Sequence, residues 1–334
     1  MRALPLLFGF LLVTLLGSIL SPPAVAQPVS SSLLQERLQM ACSFLKGLYN
    51  PSLGLVRSGP NSRVYYIASD NLLAEKALSS CDPTVSKAIN QSISSCCNKG
   101  YDAMHEALLG AGIHVPINNS AIYTVANSTT SKLFRGVTPT AAGGNYTVLR
   151  EVHNATGIFP DCTYADVTVY TALELKLEGN TTGVQHERDC LSLMFDGKGL
   201  IDESFKDGSG SEHGIYQTYK LALYLYALQV TGSYYYGEED NLFRTQGPDG
   251  GFHTGYDQLG TYAGTQENAE TTSIAILAIS SLSTSPFPFP FPLFSIPPWT
   301  IYLFIGLAAT AVVLVITIIF LDQRKRGNAG PGIK

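Results

Sequence analysis

No Cys-x-x-Cys pair occurs anywhere in the 334 residues, which leaves zinc-ribbon and thioredoxin-like chemistry without support. Positive charge is also scarce where nucleic acid would need it. Arg2, Arg324, Lys325, Arg326 and Lys334 lie outside the segment Gln27 to Thr284, whereas Asp322 is the one acidic residue that does. That segment therefore carries 16 basic against 25 acidic residues, a net charge of −9. Such a surface cannot neutralise a phosphate backbone, so nucleic acid and anionic lipid are excluded as partners of this part. Neutral ligands, cations and basic partners remain.

Long apolar runs are present, at both ends. Leu4 to Leu20 follows Met1 and Arg2, and Ala24-Val25-Ala26 has the small-x-small pattern of a cleavage site, so residues 1–26 read as a signal peptide, with a retained anchor as the alternative. Ile301 to Leu321 is uncharged and long enough to span a bilayer. Trp299 and Tyr302 suit one interface and Arg324, Lys325 and Arg326 the other, so residues 299–321 read as one transmembrane helix with a cytoplasmic tail at 322–334. The bulk of the chain then lies outside the plasma membrane. Between domain and span, the alternating Pro and Phe residues of 285–298 block both helix and ladder and predict a stiff, extended stalk.

Residues 27–284 are enough for one sizeable core. Six cysteines, Cys42, Cys81, Cys96, Cys97, Cys162 and Cys190, fit an exported protein and are disulfide candidates, but six cysteines allow 15 pairings and spacing does not choose among them. Sequons at Asn90, Asn118, Asn127, Asn145, Asn154 and Asn180 predict a glycosylated surface in the middle of the segment.

Most of the local patterning is helical. Leu33, Leu34, Leu38, Cys42, Leu45 and Leu48 follow helical spacing behind Ser30 to Ser32, which can cap them. Asp82-Pro83 reads as an N-cap and first helical position, opening a helix towards Leu109. Residues 113–152 change character, with β-branched stretches Ala121–Val125, Lys132–Val137 and Tyr146–Leu149 predicting a small β insertion. Helices resume at Tyr164.

A glycine turn followed by an apolar helix recurs along the chain. Gln246-Gly247-Pro248-Asp249-Gly250-Gly251-Phe252 carries residues that favour tight turns, with Phe252 placed to plug the turn into a core, and Glu267 to Glu270 then open an apolar run. Asn50–Leu55, Asn154–Ile158 and Asp196–Leu200 lead in the same way to helices ending at Leu78, Leu173 and Leu225. In register, Asn71, Asp166, Thr218 and Glu270 fall at one equivalent position near the helix starts.

The turn Gln246–Phe252 followed by Asn268-Ala269-Glu270-Thr271-Thr272 resembles the repeat of (α/α) toroid proteins, the group that includes terpene cyclases, protein prenyltransferases and six-hairpin glycosidases. The layout is also similar to that of archaeal membrane-anchored surface proteins. The resemblance implies a mainly α fold, a toroid-like ring of helical hairpins with a small β insertion, plus the one C-terminal transmembrane helix.

Most chemistries of that group are then removed. The D-x-D-D acid cluster, the D-D-x-x-D magnesium motif and the G-C-G-E-Q thioester stretch are absent. His105, His114, His153, His186, His213 and His253 have no close Cys or His companion at ligand spacing, so no metal site and no cofactor are expected. What remains is carbohydrate chemistry or binding.

A glycosidase needs two carboxyl groups facing across a cleft, and Asp166 with Glu270 is the candidate catalytic pair, with Asp70, Asp202, Glu203, Asp249 and Glu267 as competitors. Taken singly, each is better explained as a helix cap. Asn71, Tyr216, Thr218, Lys220, Asp249, His253 and Tyr256 are the candidate ligand-binding residues, because the tyrosines suit sugar faces and His213, His253 and Lys220 can donate or accept protons. Two functions follow as expectations. One is a non-catalytic surface module that binds a glycan or another envelope protein; the other is a glycoside hydrolase or polysaccharide lyase using carboxylates at inner-helix starts.

Overall fold

A computed structural model describes residues 30–97, 108, 123–125, 146–149, 152–154, 162–207, 213–232, 238–262 and 265–284. The stretches read from sequence as signal peptide (1–26), stalk (285–298), span (299–321) and tail (322–334) lie outside these, as do the stretch Lys132–Val137 and the sequons at Asn118, Asn127 and Asn145. Among the described residues no helix is long and apolar enough to cross a membrane.

The fold is mainly helical, and the helix boundaries follow local chemistry. Helix α1 (Ser31–Leu48) starts where the Ser30 hydroxyl accepts from the Leu33 amide, and buries Leu34, Ala41, Cys42, Phe44, Leu45 and Leu48 along one stripe. A π-helical turn, Ile67–Asn71, leads into α2 (Leu72–Leu78). Helix α3 (Pro83–Cys97) begins behind Asp82, whose carboxylate accepts from the Val85 amide at 3.1 Å while Pro83 occupies a position that needs no N–H. Then follow α4 (Ala165–Leu177), α5 (Thr181–Met194, capped by Asn180), α6 (Glu203–Asp207) and α7 (Thr218–Thr231), which stops at Gly232 in the left-handed region. Helices α8 (Glu239–Arg244) and α9 (Ala269–Thr284) complete the set among the described residues, and Asn268 caps α9 by accepting from the Thr271 amide at 2.8 Å.

Helices α4, α7, α9 and α2 form a row in that order, with α5 backing α4, α8 backing α7, α1 backing α9 and α3 backing α2. Burial decides which helices are interior. Helix α7 buries Leu221, Ala222, Leu223, Tyr224 and Leu225 in succession, and α9 buries Ile274, Ala275, Ile276, Ala278 and Ile279, so neither has a polar face to offer solvent. The row follows chain order from α4 through α7 to α9 and then returns to α2, so the last described helix, α9, packs beside the N-terminal α1 and α2.

Strands are short. β1 (Tyr49–Asn50) and β2 (Leu55–Val56) form a hairpin, and β7 (Tyr216–Gln217) pairs antiparallel with β8 (Gly255–Tyr256). Of the expected β insertion (113–152), β4 (Tyr123–Val125) pairs antiparallel with β6 (Val152–Asn154), which starts at the insertion's last residue, and β5 (Thr147–Leu149) pairs in parallel with β3 (Val64–Tyr66). That parallel pairing joins distant segments, a contact that local patterning does not encode.

Two disulfides are described. Cys42–Cys81 ties α1 to the end of α2, and Cys162–Cys190 ties the approach to α4 to α5. Cys96 and Cys97 close α3, and their side chains lie outside the description.

Candidate functional site

Hydrogen bonds between loops and helix starts bring the first turns of the row to one end. The Thr218 amide donates to the Thr254 carbonyl, the Thr254 amide to Gln266, the Ala269 amide to Ser58 and the Ser58 amide to Val64, so the starts of α7, α9 and the Ile67–Asn71 turn are stitched together. The start of α4 joins through Asp202, which accepts from the Ala165 amide at 2.9 Å and from Lys220 of α7 at 2.6 Å. This rim is where the sequence places its polar candidates.

The first cluster is internal. Lys220 and Asp202 are 3% and 2% exposed, so their ion pair is sealed from water. Burial opposes ionisation of Asp202, but the Lys220 ammonium, Ser204 and the Ala165 amide outweigh it and hold the carboxyl below its ordinary value. Asp166 lies 3.9 Å from the same ammonium and accepts from the Tyr219 hydroxyl at 2.9 Å. Asp166, on α4, and Glu270, half-buried on α9, have α7 between their helices.

The second cluster is half-open. His253 stacks on Tyr262 with ring centroids 3.9 Å apart, its Nε2 is 3.3 Å from the Glu267 carboxylate, and its Nδ1 is 3.2 Å from the Thr265 carbonyl. The Asp249 and Glu267 carboxyls both lie beside Gly247, as neighbours. Burial first, then the Asp249 charge, pushes the Glu267 carboxyl above its ordinary value, while His253 pulls the other way. The turn below is fixed by Gln246, whose amide donates to the Arg37 and Gly250 carbonyls at 3.0 Å each. Gly247 lies against this pair: a Cβ there would collide with the Glu267 carboxylate and meet Asp249. Carboxyl, imidazole and aromatic face together offer donors, acceptors and a stacking platform within one patch.

The remaining candidates hold the fold. Tyr216 and Tyr256 stack on one another in the core; the Tyr216 hydroxyl donates to Asp196 and the Tyr256 hydroxyl to the Lys198 carbonyl, clamping the turn at Gly199. Asn71 clamps β2, accepting from the Val56 amide at 2.7 Å and donating to the Val56 and Tyr66 carbonyls. Thr218 is fully buried, with no hydrogen-bond partner for its hydroxyl among the described residues. Of the sequons, Asn180 is exposed, whereas the Asn90 amide donates to Glu75 at 3.3 Å on α3. Asn154 ends β6.

One group was not expected from the sequence. His186 does have a companion: Cys190, four residues on, presents its Sγ 3.9 Å from the His186 Nε2 on the same face of α5. The i, i+4 spacing is the signal that reveals it. Cys162 completes a trio whose ligand atoms lie within 4.8 Å of one another. No protein family, curated protein or solved structure matches the chain.

Proposed function

We propose that the chain is a membrane-anchored surface protein whose toroid-like ectodomain binds a neutral glycan at the rim of its inner-helix starts. The observation that carries this reading is the half-open patch of Asp249, Glu267, His253 and Tyr262. Sugar recognition wants an aromatic face beside acceptors for vicinal hydroxyls, and here Tyr262 and His253 stack next to two carboxyls. The net negative charge disfavours acidic glycans. Support for the ring comes from α9 packing beside α1 and α2, as closure of N-terminal on C-terminal hairpins requires. Signal peptide, stalk and anchor rest on the sequence patterns at each end.

The hydrolase reading is the weaker one on geometry. A glycosidase needs two carboxyl groups facing across a cleft. Glu267 is instead paired with His253 at 3.3 Å, and burial, then the neighbouring Asp249 charge, raises its carboxyl. Asp166 is engaged by Tyr219 and Lys220, and its helix is separated from that of Glu270 in the row by α7.

The test is a neutral-glycan array probed with the detergent-solubilised chain, followed by a reducing-sugar assay on the hits. Binding without product release, lost in Tyr262→Ala and in Glu267→Gln, is the expected outcome. Product release abolished by Asp166→Asn or Glu270→Gln would replace the binding module with the enzyme. No glycan bound would leave an envelope protein as the partner to seek.

A further inference from the structure

We propose that Cys162, His186 and Cys190 form a cation site, opened by reduction of the Cys162–Cys190 bridge, for a borderline-soft divalent ion of the Zn2+ class. Among the described residues this is the one group of three metal-ligating side chains whose ligand atoms converge, all lying within 4.8 Å of one another. Two thiolates and an imidazole are the donor set that such ions prefer, and they supply the two negative charges that offset the ion.

Rigid elements place all three donors. His186 and Cys190 are one turn apart on α5, where i and i+4 side chains share a face. Cys162 is the non-glycine residue with positive φ among those described, at 54°, and this left-handed step precedes α4, whose first amide is held by Asp202. Cys190 is buried, whereas Cys162 and His186 are exposed, so an ion has a way in and a fourth position faces water.

The chemistry balances with a dithiol reductant. The reductant gives two electrons and two protons to the bridge, yielding two thiols and leaving as its own disulfide. The ion then displaces both thiol protons, forming two sulfur–metal bonds and one nitrogen–metal bond. The oxidised bridge has no thiolate to offer. Metal occupancy and disulfide therefore exclude each other at this site.

The experiment uses the full chain in detergent, reduced anaerobically with a phosphine and titrated with Co2+ as a spectroscopic probe. The expected result is a thiolate-to-cobalt charge-transfer band with tetrahedral d–d absorption, reached at one ion per chain and bleached by Zn2+. His186→Gln, at an exposed position, should weaken binding by at least about tenfold while the helical far-UV signal matches the parent's. A reduced chain that loses its far-UV helical signal and regains it with Co2+ supports the site as well. The proposal is overturned by a reduced chain without the band, by His186→Gln titrating as the parent does, or by the unreduced chain binding equally well.

Discussion

Gly250 has a backbone φ of 96°, and a Cβ on it would collide with the Met40 carbonyl of α1. Gly197 has a φ of 86° with nothing near its missing Cβ. The two glycines separate conformational strain from close approach. Gly197→Ala should cost about 1–2 kcal/mol, the left-handed penalty alone, whereas Gly250→Ala should cost roughly 2–4 kcal/mol because overlap adds to strain. Urea unfolding of both variants checks the difference; equal losses would mean that α1 yields at Met40. Glu238 poses the other residue-scale question. Burial first, and the neighbouring Glu239 charge as well, raise its carboxyl from 4.5 to about 7, against the Tyr224 hydroxyl, which lowers it. The folded state therefore holds this proton more tightly than the unfolded chain. Stability from it is fully present below 4.5 and is lost as pH rises through about 7. Thermal midpoints should fall over that window, and Glu238→Gln should flatten the profile.

Helices are linked by side chains that reach across the glycine turns. Thr272 of α9 accepts from the Phe252 amide at 3.0 Å, and Lys220 of α7 holds Asp202 just after the turn at Gly199. Lys220 and Thr272 each fall two positions beyond Thr218 and Glu270, so the anchoring register differs from the one that aligned the helix starts, while in the first repeat Asn71 itself does the anchoring. Removing the ammonium leaves two buried carboxylates beside each other. Lys220→Met should therefore destabilise by roughly 3–5 kcal/mol, and replacing Asp166 and Asp202 by Asn in the same chain should restore part of that loss. Guanidinium unfolding of the single and triple variants measures it. Local signals made much of this legible beforehand: the Ser30 and Asp82 caps, the Phe252 plug and the resumption of helix at Tyr164 all depend on neighbours within a few residues. The Lys220–Asp202 pair was not legible, because its members sit in different elements and a lone lysine resembles any surface lysine. For the same reason Tyr216 and Tyr256 read equally well as ligand platforms or as core until their partners were known. His186 and Cys190 are the opposite case, a local spacing that helical periodicity exposes once α5 is recognised.

At the scale of the whole described unit, the last described helix, α9, is buried by the first, α1. Helix α9 takes one flank from α1, another from α2 and a third from α7, so its apolar surface has no solvent-facing side to fall back on. Because α1 packs on α9, α1 and α9 should lose structure in one event. The Cys42–Cys81 bridge guards that junction, closing a loop with a sequence separation of 39. Chain entropy alone gives such a loop about 4 kcal/mol of stabilisation. Replacing both cysteines by alanine should therefore lower stability by about 3–4 kcal/mol. In native-state hydrogen exchange, the amides of α9 should then lose protection together with those of α1, ahead of α4 and α5, which Cys162–Cys190 still ties. Loss confined to α1, with α9 unchanged, would mean that α7 and α2 bury α9 without it, and the dependence of the last helix on the first would fail.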